Sequence, residues 1–157
     1  MATLLTLYSV EAGVEPAVKT VIETELSAVT GLQVVRSRED VDKNTPRVEV
    51  QLTVGGFTGS RSPRGGASAP LCEWLARLTF VVVTDRKKNG DQHDGILGRL
   101  RLLALYGQNK FASTPTDHVL IKMEEAGTDH NVVTGTDEQE TRLHFDCRIG
   151  IRESSWP

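Results

Sequence analysis

The segment from Leu71 to Thr84 constrains this chain most. Cys72, Trp74, Ala76, Leu78, Phe80 and Val82 occupy alternate positions, the spacing that places side chains on one face of an extended strand. The other face begins polar with Glu73 and Arg77 and ends apolar with Val81 and Val83. A strand of that length, open to water at its start and covered on both sides near its end, demands a sheet around it.

Two further segments repeat the alternation. In Arg47 to Val54, Val48, Val50, Leu52 and Val54 alternate with Arg47, Glu49, Gln51 and Thr53. Near the C-terminus Leu143, Phe145, Cys147, Ile149 and Ile151 point one way, and Arg142, His144, Asp146, Arg148 and Arg152 the other. Shorter strands are expected at Leu32 to Ser37 and His118 to Glu125, with Asn131 to Thr134 as a brief extended piece in the polar stretch Ala126 to Thr141.

Helical periodicity occurs twice. Ala17, Val18, Val21, Ile22, Leu26 and Val29 recur at spacings of 3 and 4, predicting an amphipathic helix over Glu15 to Val29, with Pro16 in its first turn and Gly31 past its end. After a polar connection from Asp85 to Gly95, Ile96, Leu97, Leu100, Leu103 and Ala104 form a second stripe, and Leu102, Leu105 and Tyr106 add apolar surface on a flank away from it. A helix apolar on more than one side needs covering on more than one side, and in a domain this small the second cover is expected from another subunit. Gly107 to Asp117 reads as a loop.

The order helix, strands, helix, strands predicts an α+β fold: a mainly antiparallel sheet with two principal helices packed on it, in one domain spanning 1–157. Composition agrees, since 38% hydrophobic and 25% charged residues in 157 suit one folded domain. The segment Gly55 to Pro70, rich in glycine, proline and serine with Arg61 and Arg64, reads as a long hairpin loop, and loops of that length in compact domains are usually functional.

Chemistry-bearing patterns fail one by one. His93, His118, His130 and His144 are dispersed and keep no metal-ligand spacing with each other or with Cys72 and Cys147, whose places on strand faces mark buried free thiols. Asp91, His93 and Asp94 share a loop, but turns are rich in such residues. The glycines after Val54 lack the Gly-Lys-Ser/Thr of a phosphate loop and are followed by a strand where a nucleotide motif needs a helix. No Gly-x-Ser-x-Gly elbow is present, and Glu124-Glu125 and Asp137-Glu138 are only sequence neighbours. No enzyme activity, cofactor or metal is expected. A net charge of −3 disfavours non-specific nucleic-acid binding. The apolar runs fall short of a membrane span, and Met1 to Tyr8 lack the basic start and apolar core of a signal peptide, so a cytoplasmic, membrane-free protein is expected.

The succession of the helix Pro16 to Val29, Leu32-Gln33-Val34-Val35, the pair Arg47 to Val54 and Leu71 to Val83 around a glycine-rich loop, the helix Ile96 to Tyr106 and the closing Leu143-His144-Phe145-Asp146-Cys147-Arg148-Ile149 resembles bacteriophage tail terminator and related neck proteins. The resemblance covers most of the chain and is one of architecture. It implies a homo-oligomeric ring, usually hexameric, at the end of the tail tube, which ends tube polymerisation and docks the tail to the head connector. DNA would pass through it without sequence-specific binding, in the virion after assembly in the host cytoplasm. Under it, Leu102, Leu105, Tyr106, Phe57, Arg61 and Arg64 are expected at subunit interfaces, and Arg86, Lys87, Lys88, Asp146 and Arg148 on the lumen or partner-facing surface. Two other readings stay open: another head–tail connector, head-completion or tail tube component, and a small α+β ligand-binding domain or unrecognised enzyme.

Overall fold

A computed structural model describes residues 10–61, 71–106, 110–111 and 118–152. Helix α1 (Val10–Glu25) leads to β1 (Gln33–Arg36), β2 (Arg47–Arg61) and β3 (Leu71–Asp85). A 3₁₀ turn (Gly90–Gln92) then opens α2 (His93–Tyr106), and β4 (His118–Val132) and β5 (Glu138–Arg152) close the described fold. The strands form one sheet in the order β1-β2-β3-β5-β4, antiparallel at every pairing except the parallel contact of β1 with β2. The α+β expectation holds.

Both helices contribute to a core on one sheet face, where Val14, Val18, Ile22 and Leu26 of α1 and Ile96 and Leu100 of α2 pack with the inward residues of β2, β3 and β5. Phe80 on β3 and Phe145 on β5 are diagonal neighbours, Phe80 lying opposite Leu143 and Phe145 opposite Leu78, and their rings tilt at 58° with centroids 5.7 Å apart. Val81 and Val83 are buried on the opposite face, where no helix lies over them among the described elements. Their register neighbours are Glu49 and Arg142 for Val81, and Arg47 and Glu140 for Val83. Ion pairs Arg47–Glu49 (2.9 Å) and Arg142–Glu140 (2.6 Å) join these neighbours along β2 and β5.

Several boundaries differ from the sequence expectation. Helix α1 starts at Val10 and ends at Glu25, so Pro16 lies inside it. Pro16 is exposed, and its missing N–H leaves one helical carbonyl without its usual partner. Leu26 to Val29 belong to the following turn, closed by Gly31 at φ +73°. Residues Gly55–Arg61, expected in a loop, continue β2 opposite β3 through two register shifts; the rest of that loop lies outside the described residues.

Strand β4 runs well past Glu125 to Val132, through a bulge at Gly127 (φ +154°), and pairs with β5 from Glu138 onward. The polar stretch Ala126 to Thr141 is therefore mostly strand. Its polarity reflects an outer strand that is stabilised by backbone pairing more than by burial. Helix α2 begins at His93, earlier than its apolar stripe, and Lys110 and Phe111 are helical, with Phe111 in the core of a segment read as loop.

Candidate functional site

Helix α2 carries the strongest candidate surface. Ile96, Leu97, Leu100, Leu103 and Ala104 are buried against the sheet, as their spacing requires. The flank is uncovered: Leu102 is 52% exposed, Leu105 64% and Tyr106 78%. Hiding an aliphatic side chain from water is worth about 1.5–3 kcal/mol, so a contiguous trio left in solvent forgoes an appreciable stabilisation. Grooves border it on both sides. One, of roughly 570 Å³, runs between α2 and the β4–β5 pair along Leu105, Met123, Glu125 and Phe145. The other, of roughly 260 Å³, lies between the ends of α1 and α2, lined by Leu26, Arg99, Leu102, Leu103 and Tyr106 and closed by the Lys110–Glu25 ion pair.

The remaining expected interface residues separate from this flank. Phe57 and Arg61 sit on β2, in register with Trp74 and Leu71, and not on a loop; their side chains, and all of Arg64, lie outside the described residues. Extended backbone pairing outweighs the turn propensity of Gly55, Gly56 and Gly59 here. The residues expected to face a lumen or partner also divide. Arg86, Lys87 and Lys88 occupy the exposed turn after β3, where the Asp85 carboxylate accepts the N–H groups of Lys87 (2.9 Å) and Lys88 (3.1 Å), and Lys87 Nζ pairs with Asp137 at 3.3 Å. Those N–H groups, Lys87's first, hold the Asp85 carboxyl below the usual carboxylate range.

Asp146 and Arg148 are exposed farther along β5, with Asp146 paired to Arg77 at 3.1 Å. They share the open sheet face with the His144–Asp129 contact of 2.9 Å. That face carries both signs of charge, much of it paired across strands.

His93 is not beside Asp91 and Asp94 as a ligand set. It is buried at the start of α2 and held by two hydroxyls, with Nδ1 2.8 Å from Thr84 Oγ1 and Nε2 2.8 Å from Thr141 Oγ1. Thr141 Oγ1 also lies 2.6 Å from His130 Nδ1, and Gln139 Nε2 donates to Thr84 Oγ1 at 3.0 Å. The direction of the hydroxyl–imidazole bonds follows the histidine tautomers. The Gln139 amide donates to Thr84; with the proton on Nε2 of His93 the order runs from Thr84 to His93 Nδ1, from His93 Nε2–H to Thr141 and from Thr141 to His130, and with protons on Nδ1 of both rings it runs from His130 through Thr141 and His93 to Thr84. The cluster fastens the start of α2 to the end of β3 and to the β4–β5 hairpin. Burial first, and then the nearby His130, push the His93 imidazole below its ordinary pKa against the pull of Asp94. No group of His, Cys, Asp or Glu among the described residues is arranged to hold a metal ion.

Cys147 is a buried free thiol that burial pushes up to about 12, the opposite of what a nucleophile requires. The Cys72 side chain lies outside the described residues. No helix among those described is long and apolar enough to cross a membrane. Sequence reasoning missed the His93 cluster and a second buried polar centre around Glu15. Neither leaves a local signal, since both join residues brought together only by the sheet.

No family model matches the chain, and no curated protein matches it. Among solved structures, it is similar to a chain from the "Virion of native gene transfer agent (GTA) particle", with 12% sequence identity and a TM-score of 0.50 over 94% of this chain and 99% of that one. The likeness is one of fold, and it runs nearly from end to end of both chains.

Proposed function

We propose that this chain is a structural protein of a phage-like virion and that it acts as a tail terminator, a ring-forming subunit that ends tail tube polymerisation and docks the tube to the head connector. The observation that supports this best is the fold likeness to a virion chain over 94% of this sequence and 99% of the other. Two features of the surface fit the role. The uncovered flank Leu102, Leu105 and Tyr106 suits a subunit contact, and the mixed-charge open sheet face, with Asp146 and Arg148, suits a hydrated lumen through which DNA slides without sequence-specific contacts. The function in this reading is assembly with other virion proteins, with no catalytic step and no cofactor.

The test combines mass in solution with images of the protein alone and with purified tail tubes. Rings with a central hole that cap tube ends support the terminator reading, and a protein that stays monomeric in both settings sinks it. A second reading, another head–tail connector, head-completion or tube component, draws on the same fold likeness, because the similar chain is described by its particle and not by a position within it. Rings that fail to bind tube ends would favour that reading.

A further inference from the structure

The loop between β1 and β2 is exposed and pinned by hydrogen bonds. Ser37 N–H donates to Val50 O at 3.0 Å and Glu39 N–H to Arg36 O at 3.0 Å. The Gln33 side chain grips it twice, donating to Asp42 O and accepting from Asn44 N–H, each at 2.8 Å. Val41, on this loop, is 47% exposed.

The charges around Val41 sort into two groups. Arg38 is bound to Glu15, Glu39 to Lys19 and Lys43 to Glu49. Asp40 and Asp42 remain, one on each side of Val41, and neither carboxylate has an ion-pair partner among the described residues. The loop therefore presents an apolar knob between two free negative charges.

The groove between α1 and α2 has the complementary character. Its wall is apolar at Leu102 and Tyr106, its Lys110 is neutralised by Glu25, and the neighbouring Arg101 is taken by Glu125. Arg99 is left exposed with no ion-pair partner among the described residues. An apolar wall beside one free guanidinium matches an apolar knob beside free carboxylates.

We infer that the β1–β2 loop of one copy docks into the α1–α2 groove of a second copy, Val41 against Leu102 and Tyr106, with Asp40 and Asp42 facing Arg99. The pairing deepens the ring reading above and rests on it. Knob and groove are different surfaces, so a contact made once between two copies is head-to-tail, the arrangement that generates a ring where its rotation closes. Because the loop is held in shape before docking, little ordering cost opposes the contact.

The experiment uses the full chain in native mass spectrometry and sedimentation, alone and with purified tail tubes, with thermal unfolding to verify that each variant folds. Arg99→Asp, and separately the pair Asp40→Arg and Asp42→Arg, are expected to weaken self-association about tenfold or more, a change of about 1.4 kcal/mol. Combining all three restores it, because the charges are exchanged. Val41→Ser weakens association without touching charge. Rings formed equally well by every variant overturn the pairing while leaving the ring reading intact. Assembly lost with Arg99→Asp but indifferent to the loop substitutions means that another occupant fills the groove, and also overturns it. A wild-type chain that stays monomeric in both settings overturns the pairing and the ring reading together.

Discussion

The carboxylate of Glu15 accepts the backbone N–H of Leu52 at 2.8 Å, at the point where β2 outlasts its four-residue neighbour β1. The last described link along that edge is Ser37 N–H to Val50 O, and the next inward-facing amide would otherwise be buried without a partner. Glu15 is fully buried and is neutralised by Arg36 (2.9 Å) and Arg38 (3.0 Å), while Arg38 also reaches Leu52 O at 3.4 Å. A side chain of α1 thus finishes the sheet edge that β1 leaves open and fixes the helix to it.

Glu15→Leu should destabilise the fold by about 3 kcal/mol, the low end of what breaking a buried charge pair costs, because both arginines keep a route to solvent. Urea unfolding measures it. Glu15→Gln should lose less, since an acceptor for Leu52 N–H remains.

Leu105→Glu should leave folding stability within about 0.5 kcal/mol of the wild type, since Leu105 is largely exposed on the flank of α2. Assembly should suffer, as native mass spectrometry would register. A variant that no longer folds would place Leu105 in the core instead.

The buried His93 makes stability depend on pH. Its folded-state pKa is lowered, so in mildly acidic solution the unfolded chain binds more protons than the folded one. Stability should therefore fall as pH drops below about 6.5, the ordinary histidine value, and this contribution should level off below the folded-state pKa. Urea midpoints measured across that range should show a shallower slope for His93→Gln, which titrates no proton. An unchanged slope would assign the effect to other histidines.

Cys147 should resist alkylation in the native state, because burial pushes its pKa up to about 12 and leaves almost no thiolate at neutral pH. In a Cys72→Ser background, the single thiol should react with iodoacetamide only after urea unfolds the chain. Rapid native labelling would mean that β5 opens locally.

The elements that were legible in the sequence are those whose burial alternates cleanly. The inward faces of β3 and β5 and the stripe and bare flank of α2 all follow from residue order, because each residue's burial is set by its phase in a strand or helix. Strand β4 was legible only in part. Its second half is polar on both faces, and pairing with β5 through backbone bonds leaves no apolar period to read. Gly55–Arg61 were misread for the related reason that glycine marks a turn in isolation, while a long partner strand can hold it extended.

Within the candidate surface, the exposure of Leu102, Leu105 and Tyr106 was expected from their helical phase, yet the knob at Val41 was not, because a free charge is recognised only after every neighbouring charge has found its partner. Glu15 meets Arg36, Arg38 and Leu52 across 21, 23 and 37 positions, and His93 meets Thr141 across 48. By itself, the sequence determined the α+β class, most of the apolar core-facing residues and the helix with a spare apolar side, since these depend on local periodicity. Only the tertiary structure decided which polar groups are buried together, where the sheet edges end and which charges stay unpaired. Those outcomes depend on contacts between distant residues, which no local pattern records.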